Sequence, residues 1–99
     1  MKIIPRDQSI EVQFPAGGFG EVALSEIESI DLETMPTMTV DVDFVSIGFE
    51  NGEFLELSDE AIGFREACVF LSSRLGIHPE IAHRFPIPDG FRQRVYEKL

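Results

Sequence analysis

Val40-Asp41-Val42-Asp43-Phe44-Val45-Ser46-Ile47-Gly48-Phe49-Glu50-Asn51-Gly52-Glu53-Phe54-Leu55-Glu56-Leu57 decides the fold class. Val40, Val42 and Phe44 alternate onto one face, then the apolar set moves to Val45, Ile47 and Phe49. Such a phase switch signals either a bulge or a strand covered on both faces. Glu50-Asn51-Gly52-Glu53 is the strongest local signal in the chain, because Asn-Gly readily takes the positive φ angles of a type I′ hairpin turn. Phe54, Leu55 and Leu57 return as the second arm, so the stretch reads as an antiparallel hairpin.

Upstream, Ile10, Val12 and Phe14 line one face of a strand over residues 9–14, and Pro15-Ala16-Gly17-Gly18-Phe19-Gly20 breaks it. Residues 21–24 read as the returning arm. Residues 27–34 form the next strand, with Ile30 and Leu32 inward and Asp31 and Glu33 outward. Met35-Pro36-Thr37-Met38 connects it to the hairpin, since proline removes a donor and restricts the residue before it. Together these segments predict an antiparallel meander of about five strands.

Downstream the period changes from two to about 3.6. Ser58 or Asp59 supplies an N-cap, Phe64, Ala67, Cys68, Leu71 and Leu75 form an apolar stripe, and Gly76 is a natural stop. A helix over about residues 59–75 spans roughly 25 Å, enough to cover one sheet face. Pro79 opens a short second helix through Phe85, and Pro86-Ile87-Pro88-Asp89-Gly90 ends it. In the tail, Phe91, Val95 and Leu99 have helical spacing, but Arg94-Val95-Tyr96-Glu97 favours a final strand. The expectation is an α+β fold: an antiparallel meander packed by one long helix, then a short helix and a C-terminal strand.

The 99 residues suit one domain over residues 1–99, and 43% apolar with 26% charged side chains is a globular balance. A formal net charge of -10 opposes nucleic acid and anionic lipid as partners. A lone Cys68 allows no internal disulfide and fits a reducing compartment. Met1-Lys2-Ile3-Ile4-Pro5-Arg6 lacks the apolar core of a signal peptide, and no apolar run reaches the roughly 18 residues of a membrane span. A soluble cytoplasmic protein is expected.

The charge is uneven. Residues 7–64 hold fourteen acidic side chains and no Lys or Arg, whereas residues 65–99 hold six basic and four acidic ones. Asp31 and Glu33 point one way on their strand, and Asp41 and Asp43 one way on the next. If the two strands pair, four carboxylates share a solvent face, each like-charge pair costing about 0.8 kcal/mol at about 5 Å in a water-like dielectric. Three explanations stay open: a solvated, screened face; neutralisation by Arg92 and Arg94; or a basic protein partner. Asp41 and Asp43 lack the glycine and terminal glutamate of a calcium loop.

The remaining motifs read as structural. His78 and His83 match no zinc pattern, Cys68 on the apolar stripe is a small buried hydrophobe, and Gly17-Gly18-Phe19-Gly20 is a hairpin turn with Phe19 as an exposed aromatic contact. The nine phenylalanines are assigned mostly to the core. No cofactor, metal or catalytic residue is expected.

Residues 22–34 (Val-Ala-Leu-Ser-Glu-Ile-Glu-Ser-Ile-Asp-Leu-Glu-Thr) and the hairpin-helix run over residues 45–64, ending in Leu75-Gly76, resemble a group of short uncharacterised bacterial proteins. The resemblance implies a strand-strand-helix architecture akin to small pleckstrin-homology-like modules. It offers no catalytic residues.

The functional expectation is a non-enzymatic acidic module that binds a protein with a basic surface, one form being an immunity-type inhibitor of a nuclease toxin. The contact residues would be Asp31, Glu33, Asp41 and Asp43, with Phe19 as anchor. The alternative is a homo-oligomeric structural protein, such as a homodimer, in which the strand over residues 10–14 pairs with its symmetry mate.

Overall fold

The computed structural model describes residues 1–88 and 90–99; Asp89, in the expected break at 86–90, lies outside the described residues. Among the described residues the chain is mixed α+β, with seven strands in two antiparallel sheets and one α-helix. β1 (Lys2–Pro5), β2 (Ser9–Gln13) and β3 (Phe19–Ala23) form the first sheet, in that order. β4 (Ile27–Pro36), β5 (Asp41–Phe49), β6 (Phe54–Ser58) and β7 (Gln93–Glu97) form the second, in the order β6-β5-β4-β7. The helix α1 spans Phe64–Leu75.

The predicted meander corresponds to β2 through β6, but it is split. A single 3-10 turn, Leu24–Glu26, carries the chain from β3 in one sheet to β4 in the other. The inward sets are short and aliphatic: Ile10 and Val12 on β2, Ile30 and Leu32 on β4, Val45 and Ile47 on β5. Two short sheets facing a shared core bury these sets on more sides than one flat sheet does. Ala67, Cys68 and Leu71 of α1, with Ile77, Ile81 and Ile87, complete the core. None of the nine phenylalanines is fully buried; Phe49, Phe64, Phe70 and Phe85 pack against the core while partly exposed, which corrects the assignment of most of the nine to the core.

β1 is a further strand, outside the expected meander. It changes where the helix begins. The Ile3 N–H donates to the Ile62 carbonyl at 2.8 Å, and the Ile62 N–H donates to the Met1 carbonyl at 3.0 Å, a parallel bridge that ties β1 to the connection between β6 and α1. Ile62 is thus held by β1, while the Asp59 N–H donates to the Asp43 carbonyl at 3.0 Å and the Ala61 N–H to the Ser58 carbonyl at 3.0 Å, and α1 starts at Phe64 after Gly63 rather than near Asp59. Gly63 has φ +85, and a Cβ there would collide with the Ile3 carbonyl oxygen. At its other end α1 stops as expected, with Gly76 at φ 70 and its N–H donated to the Ser72 carbonyl.

Three further expectations change. The second helix is a single 3-10 turn, Ile81–His83, pinned to α1 where the buried Ser72 hydroxyl accepts the Ile81 N–H at 2.9 Å. At the β5–β6 turn only Gly52 has positive φ, so this is not a type I′ turn. The Gly52 N–H donates to the Phe49 carbonyl and the Phe49 N–H to the Glu53 carbonyl, a type I turn closed by a left-handed glycine. β5 pairs with β4 without a bulge from Asp41 to Gly48; its phase switch reflects burial on both faces, with Val42 6% and Ser46 9% exposed on the side opposite Val45 and Ile47.

β2 lies between β1 and β3 and has no free edge, so the expected self-pairing of residues 10–14 is excluded. No helix among the described residues is long and apolar enough to cross a membrane.

Candidate functional site

The register of β4 on β5 decides where the four predicted carboxylates go. Asp31 lies opposite Ser46 and Glu33 opposite Phe44, whereas Asp43 lies opposite Thr34 and Asp41 opposite Pro36. Directly opposed residues share a face, so Asp31 and Glu33 are on the outer face and Asp41 and Asp43 continue the inner one. The shared face of four carboxylates is corrected: the pairing is offset by one residue from the register that face required.

On the outer face Asp31 is neutralised. The Arg94 guanidinium donates from Nε to Oδ1 at 2.9 Å and from Nη2 to Oδ2 at 3.2 Å, and Arg92 stands 3.8 Å away. Arg94 also reaches Glu97 at 2.7 Å, and these two carboxylates hold its pKa above the ordinary guanidinium range. Neutralisation by the C-terminal arginines is thus realised for Asp31.

At the inner-face end, Asp43 joins a hydrogen-bonded chain. The Ile87 N–H donates to Thr34 Oγ1 at 2.8 Å, and the Thr34 hydroxyl donates to Asp43 Oδ1 at 2.8 Å. Partial burial pushes the Asp43 pKa up, Asp59 and Asp41 add to the rise, and the Thr34 hydrogen bond opposes it. A cleft of about 390 Å³ opens beside it, lined by Asp43, Asp59, Glu66, Phe64 and Phe85 among others, and Arg65 brings a cation to the same walls. The cleft is acidic but partly self-compensated. Cys68, on the buried face of α1, is 1% exposed, and burial pushes its thiol up to about 12, which suits a packing role rather than a nucleophile.

A different arrangement holds where β3 meets the β5–β6 turn. A groove of about 390 Å³ is lined by Glu21, Val22, Glu26, Phe49, Glu50, Asn51 and Glu53: four carboxylates and no Lys or Arg. The Ser9 hydroxyl donates to Glu21 at 3.1 Å, and Glu26 Oε1 accepts the Ala23 N–H at 3.0 Å; neither contact supplies a positive charge. Phe19, two residues before Glu21 on the same face of β3, is 71% exposed. Of the predicted site residues none lines this groove; Phe19 stands two positions along the same strand from its Glu21 wall. Its glutamates escaped the sequence reading because they come from two hairpins in different sheets, and only the 3-10 turn at Leu24–Glu26 brings those hairpins together.

Across the molecule the acidic segment stays largely unneutralised. Of the fourteen acidic side chains in residues 7–64, Asp7, Glu11 and Asp31 have a cationic group within 4.0 Å among the described residues. No set of three or more His, Cys, Asp or Glu among the described residues is placed to hold a metal ion. No protein-family model, curated protein or solved structure matches the chain.

Proposed function

We propose that this chain is a non-enzymatic acidic module that binds a protein partner with a basic surface, and that contact centres on the groove between β3 and the β5–β6 turn. The observation that carries this reading is the groove's lining of Glu21, Glu26, Glu50 and Glu53 without a cation. Four like charges gathered in one concavity focus a negative potential, which speeds encounter with a basic surface and selects against acidic ones. Phe19 adds an exposed aromatic of the kind that anchors interfaces. An inhibitor that covers the cationic site of a nuclease is a narrower form of the same reading, favoured by the acidic charge and small size.

Affinity capture from lysate of the native cells tests it, with the wild-type chain compared with Glu50→Lys/Glu53→Lys. Both side chains sit on an exposed turn, so the circular dichroism of the variant is expected to match the wild type. The wild type should retain a basic protein and release it at about 1 M salt, where the Debye length falls to about 3 Å. The variant should retain none. Equal retention by both chains would contradict the reading.

A further inference from the structure

The groove has a second property that charge alone does not supply: one of its walls is an open strand. β3 ends the first sheet and pairs only with β2. The Phe14 N–H donates to the Gly18 carbonyl at 3.1 Å and the Leu24 N–H to the Gln8 carbonyl at 2.9 Å, bracketing the register between Gln13↔Phe19 and Ser9↔Ala23. Hydrogen-bonded and non-bonded pairs alternate along an antiparallel ladder. Gly20 and Val22 therefore bond inward to Val12 and Ile10, and Phe19, Glu21 and Ala23 turn their N–H and C=O groups outward. Glu26 occupies the outward N–H of Ala23. The outward groups of Phe19 and Glu21 have no backbone partner among the described residues.

Sheet edges are usually blunted by bulges, lysines or proline. β7 fits that rule, with a register shift against Ile30/Asp31 and the charged run Arg92, Arg94, Glu97 and Lys98 around it. β3 does not. All five of its residues pair regularly with β2, it holds no lysine or proline, and its one charge is Glu21. β6 also ends its sheet, but the cation-free glutamate groove lies along β3.

We infer that β3 takes an extended basic segment of the partner as an added antiparallel or parallel strand, with main-chain bonds to Phe19 and Glu21 and lysine or arginine side chains set against Glu21, Glu26, Glu50 and Glu53. Strand addition of this kind draws affinity from the backbone and specificity from alternate side chains. Five extended residues cover about 17 Å, the length of β3. The inference rests on the proposed reading of a basic protein partner and narrows it to one mode of binding.

The test uses an acetylated heptapeptide alternating lysine and valine, titrated into the ¹⁵N-labelled full chain, and the same peptide N-methylated on the residues of one edge at a time. All three peptides carry equal charge. The expected result is a shift of the Phe19, Gly20 and Glu21 amides with the unmodified peptide. Methylation of the pairing edge should cost about tenfold in affinity, the loss of one or two hydrogen bonds, and methylation of the opposite edge little. Glu21→Pro removes the outward N–H without touching the bonds to β2, and should weaken binding beyond the charge control Glu21→Gln. Equal binding of all methylated forms, or shifts centred on Phe54 and Glu56 of β6, would overturn strand addition at β3 and leave the broader reading to its capture experiment. Capture of a basic protein by the wild type, without any response of β3 amides to the peptide, would likewise overturn the inference alone.

Discussion

Thr34 carries more of this structure than its sequence position on a strand implies. Its hydroxyl is buried, accepts from the Ile87 N–H and donates to Asp43, so it ties the proline-rich segment near residue 87 to the second sheet. Thr34→Val keeps the shape and strands a buried N–H, a loss of about 1–3 kcal/mol. Thr34→Ser should restore most of it, both read from urea midpoints. Asp43 supplies a pH signature. Its pKa is raised in the folded state, chiefly by burial, so the folded chain binds the proton more readily than the unfolded chain. Ionisation of Asp43 then opposes folding above the raised pKa, and this penalty disappears as pH falls below the ordinary carboxylate value. Asp43→Asn should accordingly be more stable than the wild type at neutral pH, and the gap should close on acidification. A gap that widens as pH falls would reverse the sign of this assignment.

At the scale of elements, periodicity located most strands and the body of the helix, because alternation and the 3.6-residue stripe are local properties. Residues 9–14, 21–24, 27–34 and the hairpin over 40–57 all overlap observed strands, although β3 begins at Phe19 within the expected turn and β4 runs on through Met35 and Pro36 of the expected connection; the tail strand at Gln93–Glu97 was favoured over a helix from Arg94-Val95-Tyr96-Glu97. What escaped was set by partners far along the chain. β1 is short, and its pairing with Ile62 is visible only once the chain has folded back. That pairing at Ile62, together with the Asp59 N–H bonded to the Asp43 carbonyl, keeps residues 59–62 out of the helix despite good capping residues there, a case of tertiary contact overriding propensity. Gly63 is the test of this joint. A side chain at its positive φ costs about 1–2 kcal/mol, and the collision with Ile3 adds to that, so Gly63→Ala should destabilise by at least about 2 kcal/mol in thermal or urea unfolding. A loss within experimental error would mean that β1 is not held against residue 62.

For the whole molecule, the net charge and its confinement to residues 7–64 were legible from the sequence, but the sharing of that charge between surfaces was not. Register sent Asp31 and Glu33 to one face and Asp41 and Asp43 to the other, and the two C-terminal arginines settled on Asp31. A cation-free gathering of carboxylates formed instead from Glu21, Glu26, Glu50 and Glu53, where β3 and the 3-10 turn after it meet the β5–β6 turn of the other sheet. An acidic groove left without internal cations is where a basic partner gains most from contact. Titration of the ¹⁵N-labelled chain with tetralysine at low salt measures that directly, residue by residue. Amide shifts should concentrate at Glu21, Glu26, Glu50, Asn51 and Glu53 and vanish in Glu50→Lys/Glu53→Lys; shifts spread evenly over the carboxylates, or centred on Asp41 and Asp43, would contradict the placement of the binding surface.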